Sequence, residues 1–178
     1  DIRRHWNEDA PVTVIIFYRA LYQANNLAPV DALIEALSSR GLNPLPIFVS
    51  SLKDPVSAEI VKHLLSEAPP SVLLNATGFA ISSPGATRKS TPFDAADCPI
   101  LQVIFSGGNE DQWKEGVTGL SSRDIAMNVA LPEVDGRILS RAVSFKSDGG
   151  YDEATQTNII AYKPVPDRID FVADLAAS

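Results

Sequence analysis

Cysteine is almost missing from this chain. Cys98 stands alone in 178 residues, which excludes a disulfide framework and a thiolate-based zinc site within it. Histidine is nearly as scarce, with His5 and His63 far apart in sequence. No apolar run approaches the roughly 18 residues that cross a bilayer. The first residues are charged and polar, so no signal peptide is expected. Basic clusters are also lacking. Lys and Arg number 15 against 22 Asp and Glu, a net charge of −7, which is a poor match for the phosphates of a nucleic acid. Hydrophobic residues at 45% and charged residues at 21% are the balance of a folded domain and not of a disordered segment. The length suits one domain with a substantial core. The expectation is a soluble, cytoplasmic domain.

The common catalytic signatures are missing too. No Gly-x-x-x-x-Gly-Lys-Ser/Thr is present, so no ATP-binding P-loop is expected. Gly85-Ala86-Thr87-Arg88-Lys89-Ser90 lacks the second glycine and follows no strand. No Gly-x-Gly-x-x-Gly follows the first apolar run, and no Gly-x-Ser-x-Gly occurs. Cys98 reads as a small packed residue, His63 as a solvated one and His5 as part of a tail. Asn75-Ala76-Thr77 is a glycosylation sequon by spelling alone.

What is present is an alternation of strands and helices. Val12 to Tyr18 is a continuous apolar run that fits a strand buried on both faces. Val30, Leu33, Ile34 and Leu37 fall at helical spacing, with Pro29 before them and Gly41 after. Leu45 to Val49 reads as a second strand. Asp54-Pro55 then opens a helix with Ile60, Val61, Leu64 and Leu65 on its apolar face. Ser71 to Asn75 and Pro99 to Phe105 read as third and fourth strands, and the stretch between them, Gly78 to Pro99, as a long loop. A short helix carries Trp113. Ser121-x-x-Asp124 resembles a capping box and opens a helix that ends at Leu131-Pro132. Arg137 to Phe145 reads as a final strand, and Lys146 to Thr157 as polar turns. The pattern predicts an α/β fold with a parallel sheet, a flavodoxin-like or Rossmann-like three-layer sandwich.

One domain is expected over 1–178. Residues 1–11 are expected to form a flexible tail. Residues 165–178 are expected to begin a helix cut short on its way to a further domain, since Ile169, Val172, Ala173 and Ala176 fall on one helical face with no stop signal after them. The chain thus reads as a domain excised from a larger protein.

In an open parallel sheet, ligands bind beyond the carboxyl ends of the strands. Those ends are Tyr18-Arg19, Ser50-Ser51-Leu52-Lys53, Asn75-Ala76-Thr77-Gly78 and Ser106-Gly107-Gly108-Asn109. Each turns polar or glycine-containing, which predicts a hydrogen-bonding rim. Leu131-Pro132-Glu133-Val134-Asp135-Gly136-Arg137 places two carboxylates before a glycine. It reads either as a tight connection into the last strand or as a loop presenting Glu133 into a cavity, where it binds a cation or accepts a proton.

Five stretches carry a resemblance: Val14 to Arg19, Ala28 to Leu37, Gly41 to Asp54, Leu120 to Ile138 with its Pro-Glu-x-Asp-Gly core, and Pro166 to Ala177. On these the chain resembles the large subunit of aerobic cobaltochelatases. More distantly it is similar to the porphyrin-binding large subunit of magnesium chelatases. Those subunits are several times longer, in keeping with an excised domain. Where the family has a histidine after the first strand, this chain has Leu21 or Tyr22, so no ligand role carries over there.

The resemblance implies ATP-driven insertion of Co²⁺, as substrate metal, into a corrin-precursor tetrapyrrole in cobalamin biosynthesis (Mg²⁺ in the alternative). AAA+ ATPase partner subunits would use the ATP, and the fragment alone would be inactive. It implies Glu133 as catalytic group and metal relay, with Asp135 as orienting or turn-forming neighbour. Tyr18, Arg19, Asn26, Ser51, Lys53, Asn75, Thr77 and Arg137 are the expected substrate-binding residues, with Arg19, Lys53 and Arg137 pairing with acidic substituents of the macrocycle. Two readings from other classes are a small-molecule binding domain of periplasmic-binding-protein type, which would need a second lobe, and a purely architectural domain.

Overall fold

The computed structural model describes residues 2–83, 85–117, 119–153 and 156–178. One strand in from the edge of the sheet runs β1 (Val12–Tyr18), with Thr13 to Phe17 all buried. Alternate side chains leave a strand on opposite faces. Ile15 and Phe17 therefore enter one core, and Val14 and Ile16 the other. A strand covered on both faces has no side left for polar alternation, hence the apolar run.

From β1 the chain passes through α1 (Arg19–Gln23) and α2 (Ala28–Ser38) to β2 (Asn43–Val49). Val30, Leu33 and Leu37 of α2 pack on the Ile15 side. After α2, Gly41 takes φ 75° and the Leu42 N–H closes on the Leu37 carbonyl at 3.1 Å, a reversal that only glycine makes without steric cost. β2 lies at the sheet edge, where Pro44 and Pro46 are tolerated. α3 (Pro55–Glu67) begins at the Asp54 carboxylate, which accepts the Ser57 N–H at 2.9 Å. Its Val61 and Leu65 pack on the opposite face. Next come β3 (Val72–Asn75) and β4 (Ile100–Asn109). The loop between them carries a 3-10 turn, Pro92–Ala95, whose Phe93 fills the second core.

After β4 come α4 (Glu110–Glu115), α5 (Ser122–Ile125), α6 (Leu131–Val134), β5 (Ile138–Asp152), β6 (Thr157–Pro164) and α7 (Pro166–Ala177). The sheet order is β2-β1-β3-β4-β5-β6. The first five strands are parallel and β6 is antiparallel to β5. Without β6 this is the flavodoxin-like order, as the alternation of elements predicts. α2 and α7 cover one face and α3 the other, giving three layers. The path from β2 returns across β1 to β3, so a crevice opens between the carboxyl ends of β1 and β3. Among the described residues no helix is long and apolar enough to cross a membrane.

Three expectations change. The stretch read as polar turns is the distal half of β5, and β6 was not foreseen. There the two strands pair with each other beyond the layered sheet, so no core face demands apolar alternation. The helix expected to stop at Leu131-Pro132 instead continues through a π turn, Ala126–Ala130, into α6 and ends at Val134. The segment expected as a tail contains a 3-10 turn, Ile2–His5, and is tied down by Asn43. The Asn43 amide donates to the carbonyls of Asn7 and Ala10 at 2.7 and 2.9 Å. The side chain of His5 lies outside the description, and His63 is exposed. At the other end, α7 buries Ile169, Val172 and Ala173, and its Asp170 and Asp174 pair with Arg40.

Candidate functional site

A buried hydrogen-bond network builds the floor of the crevice. Asn75 ends β3 with its amide donating to Gln102 Oε1 at 2.7 Å and to the Thr77 carbonyl at 2.9 Å. Gln102 Nε2 and Arg137 Nη1 donate to the same carbonyl at 3.0 and 3.3 Å. Thr77 Oγ1 donates back to Asn75 Oδ1 at 2.8 Å. With Asn75, Thr77 and Gln102 all buried, this satisfied network sets the course of the turn that follows. Asn75 is thus an anchor beneath the site, and its burial leaves no access for a glycan.

Arg137 and Asp135 continue the network. Their side chains are each 1% exposed and pair at 3.2 Å. The Asp135 carboxylate also accepts the N–H groups of Ile81 and Ser82 at 2.7 and 2.9 Å. Burial pulls the Arg137 guanidinium below its ordinary value, and Asp135 offsets this only in part. Arg137 lies against the Phe93 ring, 5.5 Å from its centroid. Its Nε is buried with no partner among the described residues. Asp135 therefore closes the structure by holding the 81–82 backbone and Arg137 together. Glu133, two residues earlier, is exposed on α6, whereas the sharper expectation had a loop presenting it into a cavity.

Two cavities open above the floor. The smaller, about 210 Å³, lies where β1, β2 and β3 end and is lined by Tyr18, Ser51, Lys53, Thr77, Phe79 and Arg137. Five of the expected binding residues meet there. The larger is a groove of about 820 Å³, lined by Tyr18, Arg19, Asn26, Phe105, Arg123, Lys146 and Tyr162 among others. Glu133 and Asp135 line neither. Asn26 helps shape the groove by accepting the Tyr162 N–H at 2.8 Å and donating to the Ile160 carbonyl at 3.2 Å, which pins β6 to the α1–α2 turn. Burial pushes the phenols of Tyr18 and Tyr162 up, so both stay neutral hydrogen-bonding groups at pH 7.

The groove wall includes residues that the sequence reading did not single out. Asp124 was read as half of a capping box. Its N–H does reach Ser121 Oγ at 3.1 Å. Its carboxylate, however, turns inward to accept the Ser106 hydroxyl at 2.7 Å and the Gly107 N–H at 3.2 Å, which locks α5 to the end of β4. Arg123, Lys146 and Tyr162 went unmarked because two of them lie on the unforeseen hairpin or its approach. Among the described residues, Arg19, Arg123 and Lys146 make no ion pair, although the chain carries a net charge of −7.

Phe79 separates the two cavities and lines both. It takes φ 65°, a left-handed backbone that costs a bulky residue about 1–2 kcal/mol. The cause lies in Pro132. In the π turn the Leu131 N–H goes to the Ala126 carbonyl. The donor that would serve Met127 in that register is residue 132, a proline with no N–H. The Met127 carbonyl is left open and takes the Phe79 N–H at 2.8 Å. Gly78 lets the turn approach, since a Cβ there would lie 3.0 Å from Met127 O and Asn128 Oδ1. Tyr18 Oη donates to the Gly78 carbonyl at 3.2 Å from the other side.

Among the described residues no group of three or more His, Cys, Asp or Glu is arranged to hold a metal ion. Burial, and secondarily Asp97, pushes the half-buried Cys98 thiol up, away from the thiolate. The site is therefore a concave, aromatic and cationic surface suited to a large anionic ligand.

The chain is similar to proteins much longer than itself. It is 53% identical over 170 residues to the aerobic cobaltochelatase subunit CobN of Sinorhizobium sp, covering 96% of this chain and 13% of that protein. Against the subunit of the same name from Pseudomonas aeruginosa the identity is 41%, covering 98% of this chain and 14% of the relative. The fold matches the catalytic subunit of cobaltochelatase from Mycobacterium tuberculosis with a TM-score of 0.77 and 31% identity, over 94% of this chain and 14% of that one. The chain thus spans about one seventh of the relatives it matches. The model of the CobN/Magnesium Chelatase family matches residues 2–178, and the chain belongs to that family.

Proposed function

We propose that this chain forms one wall of the tetrapyrrole cavity in the large subunit of an ATP-dependent cobaltochelatase. The observation that carries the reading is the groove of about 820 Å³, where three cations with no ion-pair partner among the described residues stand beside aromatic walls in an otherwise acidic chain. A tetrapyrrole is a broad ring edged by carboxylates, and such a surface complements both features. Arg19, Arg123 and Lys146 pair with acidic substituents, while Tyr18, Phe105 and Tyr162 cover the apolar ring.

Metal insertion requires ring N–H proton loss as Co²⁺, the substrate metal, sheds water and bonds to the ring nitrogens. The wall holds the ring in place, so that one encounter replaces two. Of the carboxylates in Pro-Glu-x-Asp-Gly, Asp135 has both oxygens committed to Ile81, Ser82 and Arg137. Glu133 keeps its carboxylate exposed, and it is our candidate for metal relay and proton acceptor, facing a cavity completed by chain outside this segment. AAA+ ATPase partner subunits supply the ATP-driven step. The subunit works in the cytoplasm on a corrin precursor, as a ligase forming nitrogen–metal bonds.

The test is cobalt insertion by the full-length subunit reconstituted with its ATPase partners. Arg19→Gln combined with Lys146→Gln should raise KM for the macrocycle several-fold with kcat little changed. Glu133→Gln should lower kcat and leave macrocycle affinity intact. Unchanged KM in the first variant would remove the groove from the substrate site. Unchanged kcat in the second would remove Glu133 from the chemistry.

A further inference from the structure

Phe79 is the residue that packing does not explain. The residue is 48% exposed, yet its backbone is held at φ 65°, where a bulky side chain is disfavoured. A glycine would suit that backbone better. Three separate devices enforce the conformation: the proline-freed carbonyl of Met127, the close approach of Gly78 to the π turn, and the Tyr18 hydroxyl on the Gly78 carbonyl. What they achieve is the presentation of an aromatic ring on the ridge between the small cavity and the large groove. Strain held in place by its surroundings and pointed at a cavity is the signature of a functional contact.

We infer that Phe79 is the specificity-determining contact for the flat face of the macrocycle: its ring stacks on the tetrapyrrole bound in the groove. This rests on the groove being the tetrapyrrole site. It further gives the small cavity a role. A ring stacked on Phe79 and overhanging the ridge directs one carboxylate arm down into the small cavity beside Lys53. Offset stacking places two π faces in contact while the arms remain free to pair with cations.

The test uses the full-length subunit and a free-base carboxylated porphyrin, uroporphyrin, followed by its absorbance shift and by quenching of its emission. Phe79→Gly should weaken binding on the order of tenfold and reduce the absorbance shift, while thermal stability stays level or rises because glycine relieves the positive φ. Phe79→Trp should bind within about threefold of wild type. Binding of Phe79→Gly equal to wild type would overturn the inference. So would loss of binding in parallel with loss of folding, since the ring would then serve packing alone. If the wild-type subunit takes up no uroporphyrin, the groove is not the tetrapyrrole site and both readings fall. If the wild type binds and Phe79→Gly binds equally, the stacking role alone falls.

Discussion

Replacing Asp135 by alanine separates the two carboxylates of Pro-Glu-x-Asp-Gly by their physics. Arg137 is 1% exposed at its side chain, and Asp135 is its counter-charge at 3.2 Å. Removing the carboxylate leaves a buried guanidinium without a partner and strands the N–H groups of Ile81 and Ser82. Breaking a buried pair by removing one member costs about 3–5 kcal/mol. At about 2–4 °C per kcal/mol for a domain of this size, the melting temperature should fall by about 6–20 °C. Glu133 is exposed, so Glu133→Gln should change stability by less than about 0.5 kcal/mol. The assay is urea and thermal unfolding of both variants under matched conditions. A third variant, Asp135→Asn with Arg137→Met, removes the unpaired charge and should recover part of the loss. A loss below about 1 kcal/mol for Asp135→Ala, or equal losses for the two single variants, would refute the assignment of Asp135 to structure and Glu133 to chemistry.

Gly78→Ala should destabilise by about 1–3 kcal/mol, because its Cβ would press on Met127 O and Asn128 Oδ1; an unfolding midpoint equal to wild type would contradict the close approach. Asn26→Ala should cost about 1 kcal/mol and speed amide exchange at Tyr162, which loses its acceptor; unchanged exchange there would mean the strand is held otherwise. Burial pushes the Asp94 carboxyl up, but its bonds to Arg88 and Thr91 outweigh that and hold it at about 2. A carboxyl lowered on folding contributes stability above its unfolded value of about 3.9, and loses it as pH falls through the folded one. The contribution is at most about 2.6 kcal/mol, and about 1 after solvent screening of this partly exposed side chain. Asp94→Asn should therefore flatten the stability profile between about pH 4 and pH 2, and a profile of unchanged slope would contradict the hold of Arg88 and Thr91 on this carboxylate.

The sheet was readable in the sequence because its centre is buried on both faces. Val12 to Tyr18, the spacing of α2 and the Asp54-Pro55 start each answer to local rules that burial reinforces. β6 was not readable. It pairs with β5 on one edge, is pinned by Asn26 on the other, and buries none of its described side chains fully, so its composition carries no period. The rim residues Tyr18, Ser51, Lys53, Thr77 and Arg137 could be found because strand ends locate a crevice in any parallel sheet. Phe79 could not. Its position follows from a missing N–H at Pro132, acting through a π turn far along the chain, and only the folded chain brings the two together. Glu133 and Asp135 look equivalent in spelling. Their difference appears only when the 81–82 backbone arrives to occupy one of them.

The central claim is that the groove wall touches the macrocycle. Hydrogen exchange of the full-length subunit, with and without saturating tetrapyrrole, measures this directly. The account predicts slowed exchange in three separated stretches, residues 19–26, 76–81 and 121–128, with no change in the outer helix Pro55–Glu67. Protection confined to parts of the subunit outside this chain, with these stretches unaltered, would contradict it.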